Sequence, residues 1–289
     1  MANLNTKIEW TDATWSPVTG CTKVSAGCAN CYAERIFPRV YSGVWVKRSD
    51  GLMTRRRFTD VRTHPDRLDA PLHWRKPRRV FVNSMSDLLH EDVPDTFVLS
   101  VFSTMHSASA HSFQILTKRP QRMLTVLQWL GRKFAQEDEP WPLPNVWLGV
   151  SVEDQATADE RIPLLLQTPA AVRFVSYEPA LGAVDLGCVG GPSEDPDTGH
   201  EGIDALRWRP MRQTESAGLD WVIAGAESGP KARPSDVEWF RSVRDQCAEA
   251  GVPFFMKQIT ERGRKVPFDE WPEDLKVREW PAEERREVS

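Results

Sequence analysis

Three of the five cysteines in this 289-residue sequence lie within one short stretch. The stretch GCTKVSAGCANCYAE places Cys21, Cys28 and Cys31 in a C-x6-C-x2-C array. A structural zinc site uses four protein ligands and a disulfide uses two, whereas three thiolates can hold a four-iron cluster and leave one iron without a protein ligand. Such an iron can bind a substrate or a second cofactor. The array therefore favours a [4Fe-4S] cluster.

Zinc is the competing interpretation of the same cysteines. A tetrahedral site built on three cysteines needs a fourth ligand. Residues elsewhere in the sequence could supply it, namely His64, His73, His90, His111, Cys188 and Cys247. A structural finger usually has two pairs of ligands, and the second pair is missing here. The cluster is therefore favoured, zinc stays open, and Cys188 and Cys247 are most simply isolated structural thiols.

The composition is that of an ordinary globular protein, with 40% hydrophobic and 27% charged residues. The N-terminus has no basic region followed by an apolar run, and no window approaches about 18 uninterrupted apolar residues. We therefore expect no membrane association and a cytoplasmic protein. Disulfides are not expected in that reducing compartment. The length favours one large domain over residues 1–289.

The stretch from Lys47 to Arg79 is basic in a chain whose net charge is −4. It contains eleven Lys and Arg residues against four Asp residues, a local excess of seven positive charges, within an insertion predicted around residues 41–79. Cationic side chains gathered on one surface release counterions from phosphates, so the stretch predicts a nucleic-acid contact surface. A merely solvated face is the alternative.

Short apolar runs alternate with helical patterns along the chain. The runs lie near residues 79–87, 112–120, 145–154, 171–179, 220–229 and 252–258, and ATWSPVTG is a candidate first strand. Unbroken apolar runs are typical of parallel strands covered on both faces. The pattern predicts the α/β class as a partial (β/α) TIM-like barrel of six or seven parallel strands, with an inserted loop around 187–218. An open doubly wound sheet is the alternative, but no G-x-G-x-x-G follows a strand.

Residues just past the strands of a parallel β/α barrel line the face where active sites lie. Polar or charged side chains follow each predicted strand, among them Ser86, Asp87, Lys118, Ser151, Glu153, Glu178, Glu227 and Lys257. Glu178, Glu227 and Lys257 are the candidate catalytic residues. Chains also become polar where strands meet water, which accounts for part of this set. Hydrolase chemistry is disfavoured because the sequence has no G-x-S-x-G, H-E-x-x-H or Walker loop.

Some of the twelve tryptophans are candidates for a substrate surface. Trp147 and Trp221 fall in predicted strands and Trp239 in a predicted helix, so we expect them to pack in the core. Four others are the better candidates for a substrate surface, namely Trp10, Trp15, Trp45 and Trp74.

A three-cysteine loop after the first strand of a β/α barrel resembles the radical S-adenosylmethionine (SAM) superfamily, whose common spacing is C-x3-C-x2-C. The resemblance implies a [4Fe-4S] cluster whose open iron binds the amino and carboxylate groups of SAM. The segments NSMSDLL, LTKRP and GVSVED are similar to those of spore photoproduct lyases, which also lack the superfamily's Gly-Gly-Glu motif. That similarity implies a set of SAM contacts: Ser86 and Asp87 to the amino group, Lys118 to the carboxylate, Ser151 to the ribose, and Glu153 beside them.

Nearly the whole chain, from IEWTDATWSPVTGC to FFMKQ, resembles a bacteriophage-associated three-cysteine-motif family of unknown function. The resemblances imply an enzyme that cleaves SAM to a 5′-deoxyadenosyl radical, with electrons from a flavodoxin- or ferredoxin-type donor. With the basic stretch, they favour repair or modification of a nucleobase or nucleic acid. A peptide or small-metabolite substrate is an alternative. So is a nucleic-acid-binding phage protein in which zinc or a cluster serves only as a staple.

Overall fold

The computed structural model describes residues 2–47, 51–190, 202–207 and 218–281. The chain divides into two compact units. The N-terminal unit comprises Met1–Ser151 and Gln167–Ala171, and the C-terminal unit comprises Val152–Leu166 and Val172–Ser289. A single domain over residues 1–289 stays a prediction.

The described residues form fourteen strands and five α-helices. The strands are β1 (Ala2–Asn3), β2 (Ala13–Trp15), β3 (Val18–Thr19), β4 (Trp45–Lys47), β5 (Met53–Arg55), β6 (Arg62–Thr63), β7 (Arg79–Val82), β8 (Ser112–Thr117), β9 (Val146–Val152), β10 (Val172–Tyr177), β11 (Trp221–Gly225), β12 (Phe254–Gln258), β13 (Thr260–Glu261) and β14 (Arg264–Lys265). The helices are α1 (Tyr32–Val40), α2 (Asp95–Ser107), α3 (Pro120–Gln136), α4 (Gln155–Leu166) and α5 (Val237–Ala250).

The main sheet of the N-terminal unit has five strands in the order β1-β2-β7-β8-β9. Strands β2, β7, β8 and β9 run parallel to one another, and β1 pairs antiparallel with β2. Helix α2 connects β7 to β8, and α3 connects β8 to β9. All seven residues of β9 are buried, as expected for a parallel strand that is covered on both faces.

The sheet of the C-terminal unit contains β10, β11 and β12 in that order, all parallel. Helix α5 connects β11 to β12. Among the described strands of either unit, order in the sheet follows order in the chain, whereas a doubly wound sheet needs a reversal. The predicted α/β class and the six predicted apolar strands are therefore confirmed.

Local signals in the sequence set the helix ends. Pro120 occupies the first turn of α3, where its missing N–H leaves no hydrogen bond unmade. The side chain of Asp236 caps α5 by accepting a hydrogen bond from the backbone N–H of Glu238. Gly251 ends α5 in the left-handed conformation, with φ of 71°. The predicted helices that follow the strands are thus confirmed.

The basic stretch includes the antiparallel hairpin of β4 and β5, and its β6 pairs with β3. Residues 48–50 lie outside the described residues. Arg56 is only 8% exposed, and its guanidinium lies 5.2 Å from the ring centre of Phe37 and 4.9 Å from that of Tyr41. It also donates to the carbonyl of Thr19 at 3.2 Å. Arg56 therefore supports the fold, and the interpretation of the whole stretch as a solvent-facing surface is wrong at this residue.

Two of the predicted surface tryptophans belong to the core. Trp10 is 3% exposed and Trp15 is fully buried in β2, where its indole N–H donates to the carbonyl of Arg67 at 2.8 Å. The surface prediction is wrong for both because tertiary packing, rather than local pattern, buries them. Trp45 is 53% exposed, and the core prediction is confirmed for Trp147 and Trp221. Trp239 is only half-buried, because it lies on a partly exposed face of α5, so the core prediction is wrong for this residue.

Most of the inserted loop predicted around 187–218 lies outside the described residues. Within its described part, Val189 and Ile203 form an antiparallel bridge. No helix among the described residues is long and apolar enough to span a membrane.

Candidate functional site

The loop that carries the three cysteines starts at a constrained glycine. Gly20 has a φ of 93°, and a Cβ there would lie 2.8 Å from the carbonyl oxygens of both Phe58 and Asp60. Only glycine suits this conformation and close approach. Gly20 forms a parallel bridge with Ser86, and the N–H of Cys21 donates to the carbonyl of Phe58 at 2.9 Å. The first cysteine is therefore fixed beside the segment that follows β7.

The thiols of Cys21, Cys28 and Cys31 are all free and half-buried. Cys28 ends a short 3-10 helix, and its Sγ lies 3.9 Å from the Oγ of Ser25. Cys31 is the N-cap of α1, and its Sγ accepts a hydrogen bond from the N–H of Glu34 at 3.5 Å. The N-terminus of a helix stabilises negative charge, so this position suits a thiolate.

Arg119 joins the cysteine loop to the end of β8. Its guanidinium donates to the Sγ of Cys21 at 3.7 Å, to Asp87 at 3.1 Å and to Glu91 at 3.0 Å. It also donates to the carbonyl and hydroxyl oxygens of Thr22, at 3.2 and 3.0 Å. The sequence places Arg119 at a strand end but gives no sign of these contacts, because its partners are up to 98 positions away.

A histidine also holds the cysteine loop at Thr22. The Nδ1 of buried His90 accepts from the N–H of Asp92 at 3.1 Å, so in the neutral ring the proton sits on Nε2. That Nε2 lies 2.8 Å from the hydroxyl of Thr22 and donates to it. Burial and the charge of Arg119 lower the pKa of His90, which favours this neutral form.

Burial and the Asp87 carboxylate together raise the pKa of the Cys21 thiol to about 11, against the opposing charge of Arg119. At neutral pH the thiol of the metal-free chain is therefore protonated. Binding of a metal at Cys21 must release that proton.

Asp87 is buried, and its own chain occupies its carboxylate. One oxygen accepts from the N–H of Leu89 and the other from the N–H of Lys118, at 2.9 and 3.3 Å. The hydroxyl of Thr117 lies 2.9 Å from both oxygens, and Arg119 donates to one of them. These donors account for the roughly four lone-pair positions of a carboxylate.

The other predicted SAM contacts in the N-terminal unit follow neighbouring strands. Ser86 follows β7, Lys118 directly follows β8, and Ser151 lies near the end of β9. The hydroxyl of Ser86 donates to the carbonyl of Val18 at 2.8 Å, and Ser151 is 6% exposed. The side chain of Lys118 is half-buried. The structure thus brings the backbone N–H of Lys118 into contact with Asp87 and places Ser86 and Ser151 at the ends of the flanking strands.

Glu153, in the C-terminal unit, is fully buried and paired within that unit. The guanidinium of Arg161 on α4 donates to its two carboxylate oxygens at 3.3 and 3.1 Å, and Arg161 is itself 2% exposed. The ion pair with Arg161 offsets the buried charge of Glu153, so no bound cofactor is needed to explain why this carboxylate is buried. The sequence did not indicate the pair, although the two residues lie only eight positions apart.

In the C-terminal unit, the candidate catalytic residues Glu178 and Glu227 follow β10 and β11, and Lys257 lies near the end of β12. The Nζ of Lys257 lies 2.7 Å from both carboxylate oxygens of Glu178, and Gln258 donates to the same carboxylate at 3.2 Å. A Cβ on Gly225 would lie 3.4 Å from both Glu178 and Gln258, so the glycine gives them room.

Glu227 pairs with a different cation, Arg233. It is 5% exposed, and Arg233 donates to it from its backbone at 2.8 Å and from its Nε at 3.0 Å. The carboxylate is therefore neutralised by a neighbour six positions away.

A comparison with protein-family profiles matches residues 5–283 to one family, described as "Protein of unknown function (DUF5131)". The chain belongs to the DUF5131 family. Searches of the curated proteins and of the solved structures gave no significant match.

The cysteine loop of this DUF5131 chain fits a thiolate-bound metal group by its donor chemistry. Three free thiols lie on one anchored loop, and two of them already accept hydrogen bonds from N–H donors, Arg119 and the backbone of Glu34. Such donors are the interactions that tune cluster sulfurs. Within the described residues, no three His, Cys, Asp or Glu side chains are grouped so that they could hold a metal ion.

The structure shows what the candidate fourth zinc ligands of this DUF5131 chain contact. His64 contacts Thr19 at 2.7 Å, His90 contacts Thr22, and His111 contacts the carbonyl of Pro71 at 3.2 Å. His73 is exposed and lies 3.5 Å from Asp69. Cys188 and Cys247 belong to the C-terminal unit, where Cys247 is buried in α5.

Proposed function

We propose that this chain is a radical SAM enzyme on a partial (β/α) barrel, with a [4Fe-4S] cluster held by Cys21, Cys28 and Cys31. The observation that carries the proposal is the cysteine loop. Three free thiols within eleven residues lie on a loop that Gly20 and Arg119 anchor beside the ends of parallel strands. The chain-order sequence of strands in each unit supports the barrel over a doubly wound sheet.

When bound and reduced, the cluster supplies the electron that cleaves SAM to methionine and a 5′-deoxyadenosyl radical. The chain's own residues prepare the site. Arg119 places a positive charge beside the Sγ of Cys21, which offsets the negative charge of the thiolate. The N-terminus of α1 does the same for Cys31. An electron donor of flavodoxin or ferredoxin type supplies the electron.

Lys118 and Ser151 are the proposed partners of the SAM carboxylate and ribose, because an ammonium and a hydroxyl match those groups. Ser86 and Asp87 are the proposed partners of the SAM amino group. Since the carboxylate of Asp87 is already surrounded by donors, the SAM ammonium must share it with Arg119 or the N–H of Lys118. Asp87 therefore has a second role, which is to hold Arg119 against the cysteine loop.

The substrate class that we propose is a nucleic acid or nucleobase, which the enzyme would repair or modify. The exposed cations of the basic stretch, among them Lys47, Arg55 and Arg62, support this class. In the C-terminal unit, the ammonium of Lys257 donates a hydrogen bond to the carboxylate of Glu178 near the strand ends. These two residues are proposed to act on the substrate as acid and base. Glu227 is proposed to have a supporting part through Arg233.

Reductive cleavage of SAM tests the proposal. The protein is reconstituted with iron and sulfide without oxygen, reduced with dithionite and incubated with SAM, and 5′-deoxyadenosine is measured by chromatography. Wild type and Cys188→Ala should form it, because Cys188 lies outside the loop. Cys31→Ala should not. A reconstituted protein that holds iron but forms no 5′-deoxyadenosine would contradict the proposed activity.

A further inference from the structure

The hairpin of β4 and β5 has one face that packs on the protein and one that meets water. Trp45 pairs with Arg55 across the two strands, and Lys47 pairs with Met53. These four side chains alternate with Val46 and Thr54, so they share one face of the hairpin. All four are exposed, whereas Val46 is buried. We call this exposed face, formed by Trp45, Lys47, Met53 and Arg55, the hairpin face.

An arginine orders the aromatic ring on the hairpin face. The guanidinium carbon of Arg55 lies 6.0 Å from the ring centre of Trp45, within the range of a cation–π contact. Trp45 is 53% exposed and Met53 is 56% exposed. These two side chains therefore do not pack in the core, yet the large apolar ring of Trp45 is held at the surface by Arg55. Exposed apolar residues placed together in this way mark interaction sites.

The surroundings of the hairpin face are positively charged. Residues 35–57 contain seven basic residues and one acidic residue in a chain that is acidic overall. Besides Lys47 and Arg55, the side chains of Arg39 and Arg57 are exposed. Arg56 is buried and takes no part. The charge is therefore complementary to a polyanion, and the aromatic ring adds a contact that charge alone does not explain.

We propose that the hairpin face binds single-stranded nucleic acid, with a base stacked on the indole of Trp45 and phosphates paired with Lys47 and Arg55. Exposed aromatic rings beside basic side chains are how proteins bind single strands, because every unpaired base offers a flat face. A duplex hides those faces and offers its phosphates alone. The inference rests on the proposed function in one respect, since it specifies the nucleic-acid substrate of that proposal as single-stranded.

Fluorescence anisotropy of labelled oligonucleotides tests this inference. The probes are about twelve nucleotides of oligothymidine, the matching oligouridine and a duplex of equal length, because single-strand sites span roughly 4 to 16 nucleotides. Wild type should bind a single strand more tightly than the duplex. Trp45→Ala should weaken single-strand binding about tenfold, which is the loss of one stacked base, and Trp45→Phe should retain most of it.

A matched control distinguishes binding at the hairpin face from nonspecific attraction of a nucleic acid to any exposed arginine. Arg264 is exposed on the other small hairpin, formed by β13 and β14. Arg55→Ala should weaken binding and flatten its salt dependence by ~0.7 in the logarithmic slope, which is the contribution of one single-strand phosphate contact. Arg264→Ala should leave both unchanged. The oligothymidine and oligouridine probes distinguish DNA from RNA.

Several outcomes would overturn the inference. They are equal binding by wild type and Trp45→Ala, equal loss in Arg55→Ala and Arg264→Ala, or binding of polyglutamate but of no oligonucleotide, which would indicate an acidic protein partner instead. The iron content of Trp45→Ala is measured in parallel and should match that of wild type, because Trp45 lies outside the cysteine loop. Trp45-dependent binding in a protein that holds no iron would support the hairpin face and contradict the proposed enzyme, so the two failures are distinguishable.

Discussion

The guanidinium of Arg119 lies 3.7 Å from the Sγ of Cys21 and is held there by the buried carboxylate of Asp87, 3.1 Å away. A residue at the end of β8 is thereby tied to a cysteine at the beginning of the sequence. The contact gives Asp87 and Arg119 a structural part in the cysteine loop, whatever ligand the loop binds.

Arg119→Ala should lower the free energy of unfolding by about 3 kcal/mol or more, because it leaves Asp87 charged, buried and without its partner. Urea unfolding of the metal-free protein measures the change. Arg57→Ala is the control, since the side chain of Arg57 is exposed and its ion pair with Asp60 is of the kind that contributes little. Equal losses in the two variants would contradict the part assigned to Arg119.

Lys118→Ala should weaken SAM binding by roughly tenfold to a hundredfold and leave the iron content unchanged, because one charge-assisted hydrogen bond of ~1.5 to 3 kcal/mol is lost. Calorimetric titration of SAM into the reconstituted proteins measures the affinity. Lys7→Ala removes the same charge from an exposed position of the same unit and should bind as wild type does. Unchanged affinity in Lys118→Ala would remove Lys118 from the SAM site.

Glu153→Ala should destabilise the protein by about 3 to 5 kcal/mol, because Arg161 would remain buried without its partner. Replacing both residues, as Glu153→Leu with Arg161→Met, should recover most of that loss, since apolar side chains can replace a buried ion pair. Urea unfolding gives both values. If the double variant is as unstable as the single one and also loses SAM affinity, Glu153 is a cofactor contact rather than a structural partner.

The stability of the protein should depend on Cys247 at high pH. Burial, with a contribution from Glu279, raises the pKa of this thiol from a usual 9.0 to about 12. A thiol that stays protonated in the fold stabilises it fully below pH 9, and that stabilisation is lost as the pH rises from 9 towards 12. At pH 10.5 the loss is about 2 kcal/mol.

Cys247→Ala removes this titration, so its unfolding free energy should fall less than that of wild type between pH 8 and 10.5. Denaturant unfolding at the two pH values measures the difference. Parallel losses in both proteins would mean that the thiol is not held protonated by the fold. Retention of the wild-type iron content in Cys247→Ala would agree with its position in the core of the C-terminal unit.

The elements of the sheets could be predicted because their signals are local. Strand β9 is a continuous apolar run, Pro120 begins α3, and Gly251 ends α5. The cysteine array and the polar strand ends could be located for the same reason. Each is visible within a window of a few residues.

Contacts between distant positions could not be predicted in this way. Arg56 reads as one of three surface arginines, but the rings of Phe37 and Tyr41 cover it. Trp15 is a surface candidate by its sequence, yet it ends β2 and is fully buried. Asp87 reads as an available carboxylate, and only the fold reveals that Thr117 and Arg119 already surround it.

Metal analysis of protein purified without oxygen is the most direct test of the central claim. Wild type and Cys188→Ala should be brown and hold about four irons and four sulfides per chain, the content of a single [4Fe-4S] cluster. Cys21→Ala, Cys28→Ala and Cys31→Ala should each lose most of that iron. A colourless wild-type protein with one tightly bound zinc, or iron that persists in all three variants, would contradict the account.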